Sequence, residues 1–295
     1  MPAAVTTNAH AKANLLLRVL SQEESGYHSL ETLFVLLEEH DDLAVERTER
    51  GITLDVEGVD TGPVEENLAY QAARSVLDAT GNAFGVRIEL TKRIPVQAGL
   101  GGGSSDGAAT LHAVNALADN AVPRHELLQF AARLGSDVPF FCSGAPLALA
   151  WGRGERLFRI PPPAAAPVLL ALPPFGISTQ KAYAALDAGR SDEHRRGAVV
   201  LDGNALESWG GIGRLSGNDF EGPVFGKHPE LRDLFERMAR TGPLLVRLSG
   251  SGSAIIAIYR SESTRDGAAV EISEPGIRLI KTATRASPAP APAQP

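Results

Sequence analysis

A glycine-rich stretch in the first half of the chain constrains its fold more than any other feature. The stretch reads IPVQAGLGGGSSD over residues 94–106, and four of the five positions in 99–103 are glycine. Before it, apolar and polar residues alternate over 86–90, which predicts a strand. After it, apolar residues recur at helical spacing over 108–118, which predicts a helix that begins near Ser104.

This strand–loop–helix arrangement predicts a binding site for phosphate. Glycines leave backbone N–H groups free to converge on an anion, and the helix N-terminus that follows carries partial positive charge. Glycine-rich turns also occur for tight packing alone, so the loop by itself leaves both interpretations open. It is not a Walker A loop, because no lysine follows the glycines. Ser104 stands where a dinucleotide-binding fingerprint requires Gly or Ala.

The composition of the chain excludes several classes of protein. Its 295 residues, with 43% hydrophobic content, are enough for two domains or one large one. No apolar run approaches the ~20 residues that cross a bilayer, and the N-terminus lacks the pattern of a secretory signal, so we expect a cytoplasmic protein without a membrane partner. The net charge of −7 disfavours a nucleic-acid surface but allows an anionic small-molecule substrate, because local basic side chains can override the global sign. The single cysteine, Cys142, excludes an internal disulfide.

The order of the predicted strands and helices favours an α+β protein with two domains. The predicted elements include separate strands at 33–37 and 42–47 and helices near 179–187 and 229–240. Strands and helices are mixed in both halves without strict β-α-β alternation. The composition changes at a proline- and alanine-rich run over 161–167, which is the best candidate for a domain junction. We therefore expect domains over residues 1–160 and 161–285, followed by a disordered Pro/Ala tail over 286–295.

Five further motifs accompany the glycine loop. They are Ala-Lys-Ala-Asn-Leu over 11–15, Gly-Tyr-His-Ser-Leu-Glu-Thr over 26–32, Leu-Gly-Ser-Asp-Val-Pro-Phe over 134–140, Asn-Asp-Phe-Glu over 218–221 and Leu-Ser-Gly-Ser-Gly-Ser over 248–253. With the loop, they resemble the GHMP small-molecule kinases, and in particular the branch that phosphorylates 4-diphosphocytidyl-2-C-methyl-D-erythritol. The resemblance spans residues 9 to 283, and the second and third motifs are specific to this branch. His10 departs from the pattern, since proline is usual at that place, and we interpret it as an ordinary strand residue beside Lys12.

The resemblance implies a fold and an activity. The implied fold has an N-terminal ribosomal-protein-S5-like α+β domain and a C-terminal ferredoxin-like α+β domain, with the active site in the cleft between them. The implied activity is ATP-dependent phosphorylation of the 2-hydroxyl of 4-diphosphocytidyl-2-C-methyl-D-erythritol, in the non-mevalonate isoprenoid pathway. The rivals are another GHMP kinase, of homoserine or mevalonate type, and a catalytically silent nucleotide-binding regulator. Tyr27 and His28 argue against the first, since neither substrate carries a base, and intact Lys12 and Asp137 argue against the second.

Lys12 and Asp137 are the candidate catalytic residues. Phosphoryl transfer to an alcohol benefits from a group that accepts the hydroxyl proton, and Asp137 is a suitable acceptor. The Val138-Pro139 pair after it predicts an extended turn, in which the aspartate could equally cap local structure. Lys12 stands on an otherwise apolar strand, where a lysine needs either an anionic partner or a route to solvent. The resemblance favours the catalytic role for both residues, with Asp137 either taking the proton or only orienting the hydroxyl.

The resemblance also assigns the substrate residues. It implies that Tyr27 stacks on the cytosine, that His28 hydrogen-bonds to it and that Asn14 contacts the erythritol portion. Tyr183 is placed to supply a second aromatic face, and Thr179 lies in the same segment. Ordinary half-buried packing is the alternative for both tyrosines.

ATP is the implied co-substrate, with Mg²⁺ expected beside it. The residues assigned to its phosphates are Pro95, Val96, Gln97, Ala98, Gly99, Leu100, Gly101, Gly102, Gly103, Ser104 and Ser105. Asn67 is a candidate for adenine, although the start of a helix there would suit an N-cap equally well. The glycines and serines over 249–253 read as a second backbone nest or as a turn between strands. Ser104 and Ser105 could assist Mg²⁺, but the sequence identifies no carboxylate ligand.

Overall fold

Two β-sheets and the helices packed on them make up the described structure. The computed structural model describes residues 3–22, 28–189, 202–289 and 292–293. The strands are β1 (Ala4–Gln22), β2 (His28–Thr48), β3 (Ile52–Glu57), β4 (Gly85–Thr91), β5 (Leu147–Gly152), β6 (Arg156–Arg159), β7 (Pro167–Leu172), β8 (Gly217–Asn218), β9 (Leu245–Leu248), β10 (Ile255–Ile258) and β11 (Arg278–Ala283). The helices are α1 (Leu68–Ala79), α2 (Gly102–Leu117), α3 (Arg124–Leu134), α4 (Val138–Ser143), α5 (Thr179–Gly189), α6 (Trp209–Leu215), α7 (Glu221–Lys227), α8 (Pro229–Arg240) and α9 (Glu262–Glu271). Single 3₁₀ turns lie at Val64–Glu66 and Gly203–Glu207.

The first sheet is organised by the long antiparallel pair β1 and β2. Its strand order is β3-β4-β2-β1-β8, and β5 pairs with another part of β2 and carries β6. Helices α1 and α2 bury a core against this sheet that includes Leu43, Ile88 and Leu111. The register of β1 against β2 shifts between His10 and Lys12, so that these two residues do not follow simple alternation.

Strand β2 is continuous where the sequence predicts two separate strands, at 33–37 and 42–47. The polar residues between them fit because Asp41 is buried with partners for its carboxylate. Its Oδ1 accepts a hydrogen bond from the Ile94 backbone N–H at 2.8 Å and another from Arg93, and its Oδ2 bonds to the Lys92 ammonium. A satisfied buried carboxylate therefore replaces the expected break in the strand.

The second sheet has the arrangement expected of a ferredoxin-like domain. Its order is β11-β7-β10-β9, and every neighbouring pair is antiparallel. Helices α5 to α8 lie between β7 and β9 in the chain, and α9 lies between β10 and β11, which gives a β-α-β-β-α-β succession. Strand β7 is buried over 168–172, as expected for a strand covered on both faces.

The two sheets share one apolar core. Leu15 and Val35 from the first sheet belong to the same buried cluster as Leu170 and Ile256 from the second. Strand β8, which comes from the second half of the chain, pairs in parallel with β1 at Leu16. This shared packing holds the glycine loop against the second half of the chain.

Helix prediction succeeded where the apolar stripe was long. The helices expected over 179–187 and 229–240 correspond to α5 and α8, whereas α6, α7 and α9 were not predicted. Helix α6 is short and glycine-rich, and α9 begins with a Ser261–Thr264 capping box rather than with a marked apolar stripe. Among the described helices, none combines the length and the apolar character needed to cross a membrane.

The described part of the Pro/Ala tail lies against β1 instead of being disordered. Thr6 donates a backbone hydrogen bond to Ala293 at 2.8 Å and accepts one from it at 3.0 Å. Ala289 packs against the apolar core between the first sheet and helices α1 and α2. Strand β8 pairs only with the middle of β1, so the backbone groups near Thr6 remain available for this pairing.

Candidate active site

A cavity of about 740 Å³ opens where β1, the glycine loop and α5 meet. Most of the residues proposed from the sequence line it: Lys12, Asn14, His28, Pro95, Val96, Gln97, Ala98, Gly99, Leu100, Gly101, Gly102, Gly103, Ser104, Asp137, Thr179 and Tyr183. Tyr27 lies outside the described residues. The cavity is therefore the candidate active site.

Lys12 is buried at one end of this cavity and is held by polar partners. Its Nζ donates a hydrogen bond to Asn14 Oδ1 at 2.6 Å and lies 3.3 Å from Asp137 Oδ2. Asn14 in turn donates to Thr32 Oγ1 at 2.8 Å, and Thr32 donates to the Leu16 carbonyl at 2.7 Å. This chain of hydrogen bonds satisfies the buried ammonium and fixes its position.

Asp137 presents its carboxylate to Lys12 rather than to its own backbone. Its φ of −86° and ψ of −19° are helical, and Val138-Pro139 opens the short helix α4, so the expected extended turn is wrong. Proline is accommodated because the first turn of a helix needs no N–H from it. The carboxylate makes no capping hydrogen bond. Local capping therefore does not account for this aspartate.

The glycine loop presents the N-terminus of α2 to the cavity. Gly101 has a φ of 72°, and the helix begins at Gly102, two residues before the predicted start at Ser104. A Cβ on Gly103 would meet nothing within 4 Å, whereas one on Gly102 would lie 3.1 Å from Ile94 and 3.3 Å from the Lys92 ammonium. The space that an anion could enter therefore lies next to Gly103.

The loop is anchored on the second glycine-rich segment, which follows β9. A Cβ on Gly99 would lie 2.0 Å from the Ser249 carbonyl oxygen, so this close approach requires glycine. Ser249 Oγ donates to the Gly99 carbonyl at 2.9 Å, and the Ala254 N–H donates to the Ala98 carbonyl at 3.1 Å. The Ser249–Gly252 segment thus holds the glycine loop in place, and Gly250 and Ser251 also line the cavity.

The Asn-Asp-Phe-Glu motif supports that segment in turn. Asn218 Nδ2 donates to the carbonyls of Leu248 and Gly250 at 2.8 and 2.7 Å. Glu221 Oε1 accepts from the Leu248 N–H at 3.1 Å, and Asp219 Oδ2 accepts from the Val19 N–H at 2.7 Å. The contacts of Asn218, Asp219 and Glu221 are structural: they tie β9 and its loop to β1.

A buried charge cluster lies behind the first turn of α2. The Lys92 ammonium bonds to both Asp41 and Asp106, and all three side chains are almost fully buried. Burial, together with the second carboxylate at Asp41, raises the pKa of Asp106 to about 7 against the opposing effect of Lys92. Asp106 Oδ1 has no hydrogen-bond partner among the described residues.

The opposite wall of the cavity is aromatic. The His28 ring stacks on Tyr183 with centroids 4.5 Å apart and an interplanar angle of 20°, and Phe220 meets Tyr183 edge-on at 4.9 Å. One face of Tyr183, predicted to stack on a base, is thus covered by His28. Burial and then the carboxylates of Asp137 and Asp187 raise the pKa of Tyr183 to about 12, which keeps its hydroxyl protonated.

Three residues considered from the sequence lie elsewhere. Asn67 is the N-cap of α1: its side chain accepts from the Ala69 N–H at 2.9 Å and donates to Thr61, and it does not line the cavity. Ser105 and His10 face a separate cavity of about 210 Å³ behind α2. Burial, then Arg285 and His40, lower the pKa of His10 to about 4, so its ring is neutral. The shift in register keeps His10 out of the cavity that Lys12 lines.

Several residues of the site were missed from the sequence. Arg153, in the turn between β5 and β6, lines the cavity together with Phe220. Asp187 contacts His28 from α5, and Lys92 contacts Asp41 and Asp106 across the first sheet. The basic residue between the glycines of the β5–β6 turn was a usable signal for Arg153. The other contacts join residues far apart in the chain.

Models of GHMP kinases match two segments of this chain. The model of the GHMP kinases N terminal domain matches residues 67–145, which include the glycine loop and Asp137. The model of the GHMP kinases C terminal domain matches residues 201–278, which include the second glycine-rich segment.

Individual proteins give a more specific likeness. The 4-diphosphocytidyl-2-C-methyl-D-erythritol kinase of Pelotomaculum thermopropionicum is 38% identical over 271 residues, covering 90% of this chain and 93% of its own. A crystal structure of a 4-(cytidine 5'-diphospho)-2C-methyl-D-erythritol kinase is 36% identical, covers 94% of this chain and 98% of its own, and superposes with a TM-score of 0.80. Homoserine kinase from Cytophaga hutchinsonii superposes with a TM-score of 0.69 over 99% of this chain and 98% of its own, but at 18% identity it shows the fold alone.

Proposed function

Because the chain belongs to the GHMP kinases, and within them to the 4-diphosphocytidyl-2-C-methyl-D-erythritol kinases, we propose that it transfers the γ-phosphoryl group of ATP to the 2-hydroxyl of 4-diphosphocytidyl-2-C-methyl-D-erythritol. This is a step of the non-mevalonate isoprenoid pathway, and we propose a cytoplasmic location for it. The observation that carries the proposal is the Lys12–Asp137 pair, which lies in one cavity with Gly103 and with the aromatic wall.

The Lys12–Asp137 pair supports a direct route for the proton. The 2-hydroxyl oxygen attacks the γ-phosphorus, the bond from this phosphorus to the bridging oxygen of ADP breaks, and Asp137 accepts the hydroxyl proton. Lys12 holds the carboxylate in place and offsets negative charge on the attacking oxygen. Asp137 is suited to this role because its side chain is 33% exposed towards the cavity, whereas that of Lys12 is 4% exposed.

The phosphates of ATP are assigned to the N-terminus of α2, beside Gly103. Backbone N–H groups there have no intrahelical partner, and the helix dipole favours an anion. The hydroxyl of Ser104, on the cavity wall, suits an Mg²⁺ ion that keeps most of its waters and takes phosphate oxygens as ligands. Mg²⁺ would neutralise charge on the transferred phosphate. Among the described residues, no group of three His, Cys, Asp or Glu side chains forms a closed metal site.

The cytidine is assigned to the opposite wall. His28 and Tyr183 provide a hydrogen-bonding edge and an aromatic surface, and they lie in the same cavity as Asn14 and Thr179. Neither homoserine nor mevalonate carries a base that would use such a wall. The low identity of the homoserine kinase structure adds nothing in favour of that rival.

A coupled assay of ADP release tests the proposal. Purified enzyme with MgATP is offered 4-diphosphocytidyl-2-C-methyl-D-erythritol, homoserine or mevalonate, and ³¹P NMR identifies the phosphorylated position of any product. We expect turnover only with the cytidine ester and a new phosphomonoester on its 2-hydroxyl. Turnover of homoserine or mevalonate instead, or none with the ester, would exclude the proposal.

A further inference from the structure

The His28 imidazole is held on one face and at one edge. Its Nε2 lies 2.9 Å from Asp187 Oδ1, and its ring stacks on Tyr183 at 4.5 Å. Tyr183 and Asp187 are both on α5, one helical turn apart, so a single helix supplies both restraints. The His28 side chain is only 8% exposed, whereas that of Asp187 is 37% exposed. The contact joins residues from the two halves of the chain.

The partner at Nε2 determines what Nδ1 can do. An ionised carboxylate can only accept a hydrogen bond, so the hydrogen in the Asp187 contact belongs to Nε2. In the neutral imidazole, a proton on Nε2 leaves a lone pair on Nδ1. A carboxylate that bonds to one ring nitrogen thus selects the tautomer that the ring presents at the other, as it does for histidines that bind metals.

We propose that Asp187 is a positioning residue that makes His28 Nδ1 a hydrogen-bond acceptor and thereby selects a 4-aminopyrimidine over a 4-oxopyrimidine. The inference rests on the proposed function, since it assumes that the base of the substrate meets His28. The exocyclic amine of cytosine donates to such an acceptor. Uracil carries a carbonyl oxygen at that place, and two lone pairs would face each other.

The size of the effect follows from the cost of an unpaired polar group. A site built to hydrogen-bond one substrate group can reject an analogue that lacks this group by about 10⁴- to 10⁵-fold in kcat/KM. We expect the wild-type enzyme to prefer the cytidine ester over the matched uridine ester by at least about 100-fold. Without Asp187, either ring nitrogen can carry the proton, and the preference should fall by about tenfold or more.

The test compares Asp187→Ala, Asp187→Asn and the control Lys181→Ala, an exposed residue of the same helix that does not line the cavity. Both esters are measured by steady-state kinetics and, without ATP, by titration calorimetry. For Asp187→Ala we expect KM for the cytidine ester to rise and the cytidine preference to fall. The amide of Asp187→Asn can accept from Nε2–H or donate to Nε2, so its cytidine preference should lie between those of Asp187→Ala and the wild type. KM for ATP and kcat at saturation should stay within about twofold of wild type, the pattern of lost uniform binding. Lys181→Ala should match the wild type.

Long-range ¹H–¹⁵N spectra of ¹⁵N-histidine protein supply a readout that needs no turnover. We expect His28 to be protonated on Nε2 in the wild type and to be a mixture of tautomers in Asp187→Ala. The inference is overturned if Nδ1 of His28 carries a proton in the wild type, as the other tautomer or as the imidazolium, or if folded Asp187→Ala keeps the full preference for the cytidine ester in kinetics or calorimetry. Failure of wild type to phosphorylate the ester would instead overturn the proposed function, and calorimetry would still decide the base preference.

Discussion

Lys12 Nζ lies 3.3 Å from Asp137 Oδ2, although the two residues come from the first strand and from the start of α4. The same ammonium donates a hydrogen bond to Asn14 Oδ1 at 2.6 Å, and this bond keeps it in place if the carboxylate of Asp137 moves. The lysine is therefore a fixed positive charge and the aspartate the more accessible of the two. This division of roles leads to the first two predictions.

Replacing Asp137 by Asn should lower kcat by about 10²–10⁴ with modest changes in KM, because the amide keeps the shape but cannot accept the substrate proton. Steady-state kinetics at saturating ATP and alcohol measure the effect, with circular dichroism as the control for folding. A loose transition state needs little deprotonation of the nucleophile, and the aspartate would then mainly orient the hydroxyl. A folded variant within about fivefold of wild-type kcat would rule out the base role.

Lys12→Met should also lower kcat, since it removes the charge beside the attacking oxygen while keeping most of the apolar volume. The Lys12→Met, Asp137→Asn double variant should lose less activation free energy than the sum of the two single losses, because groups that act as a unit are not additive. Additive losses in the double-mutant cycle would mean that the two residues act independently. Asn14 should be left intact in all variants to preserve the hydrogen-bond chain.

Gly103→Val should weaken ATP binding by well over tenfold with the fold retained, because its side chain would enter the space assigned to phosphate. Gly102 also lines the cavity, but a Cβ on it would face Ile94 and Lys92, so Gly102→Val should instead reduce the stability of the protein. Gly267→Val in α9 is the matched control, since that glycine also has nothing near its Cβ and is remote from the cavity. Calorimetric titration with ATP measures binding. Unchanged affinity in Gly103→Val would mean that phosphate binds elsewhere.

The parts of the site that could be predicted are those that short motifs encode. The glycine loop, Lys12 and Asp137 each stand in a short motif, and the resemblance of these motifs to the GHMP kinases favoured their proposed roles. Asp187 could not be found in this way, because its only indication of a role is its contact with His28, which lies 159 positions earlier in the chain. The ion pairs of Lys92 depend likewise on the pairing of β2 with β4 and on the packing of α2.

The same distinction between local patterns and long-range contacts holds for the fold. Strands and helices with a strong apolar period were predicted, since burial of one face is visible in the sequence. The continuity of β2 was missed because it depends on how a buried Asp41 is satisfied by Ile94 and Lys92. The pairing of Ala293 with Thr6 was missed because the composition of a Pro/Ala tail gives no sign of an available strand edge.

Asp106→Asn should make the stability of the protein less dependent on pH. The pKa of Asp106 is raised in the folded protein to about 7, by burial and by Asp41, from an unfolded value of about 3.9. Between these values the folded state binds the proton that the unfolded state has lost, so the contribution of this group is full below about pH 4 and is lost as pH rises through about 7. The neutral amide can still accept a hydrogen bond from Lys92 and does not titrate. Urea unfolding of both proteins from pH 4 to 8 should therefore show the variant gaining stability relative to wild type as pH rises, while the carboxylates outside the Lys92 cluster cancel in the difference. A difference that is constant over this range would mean that Asp106 stays ionised throughout.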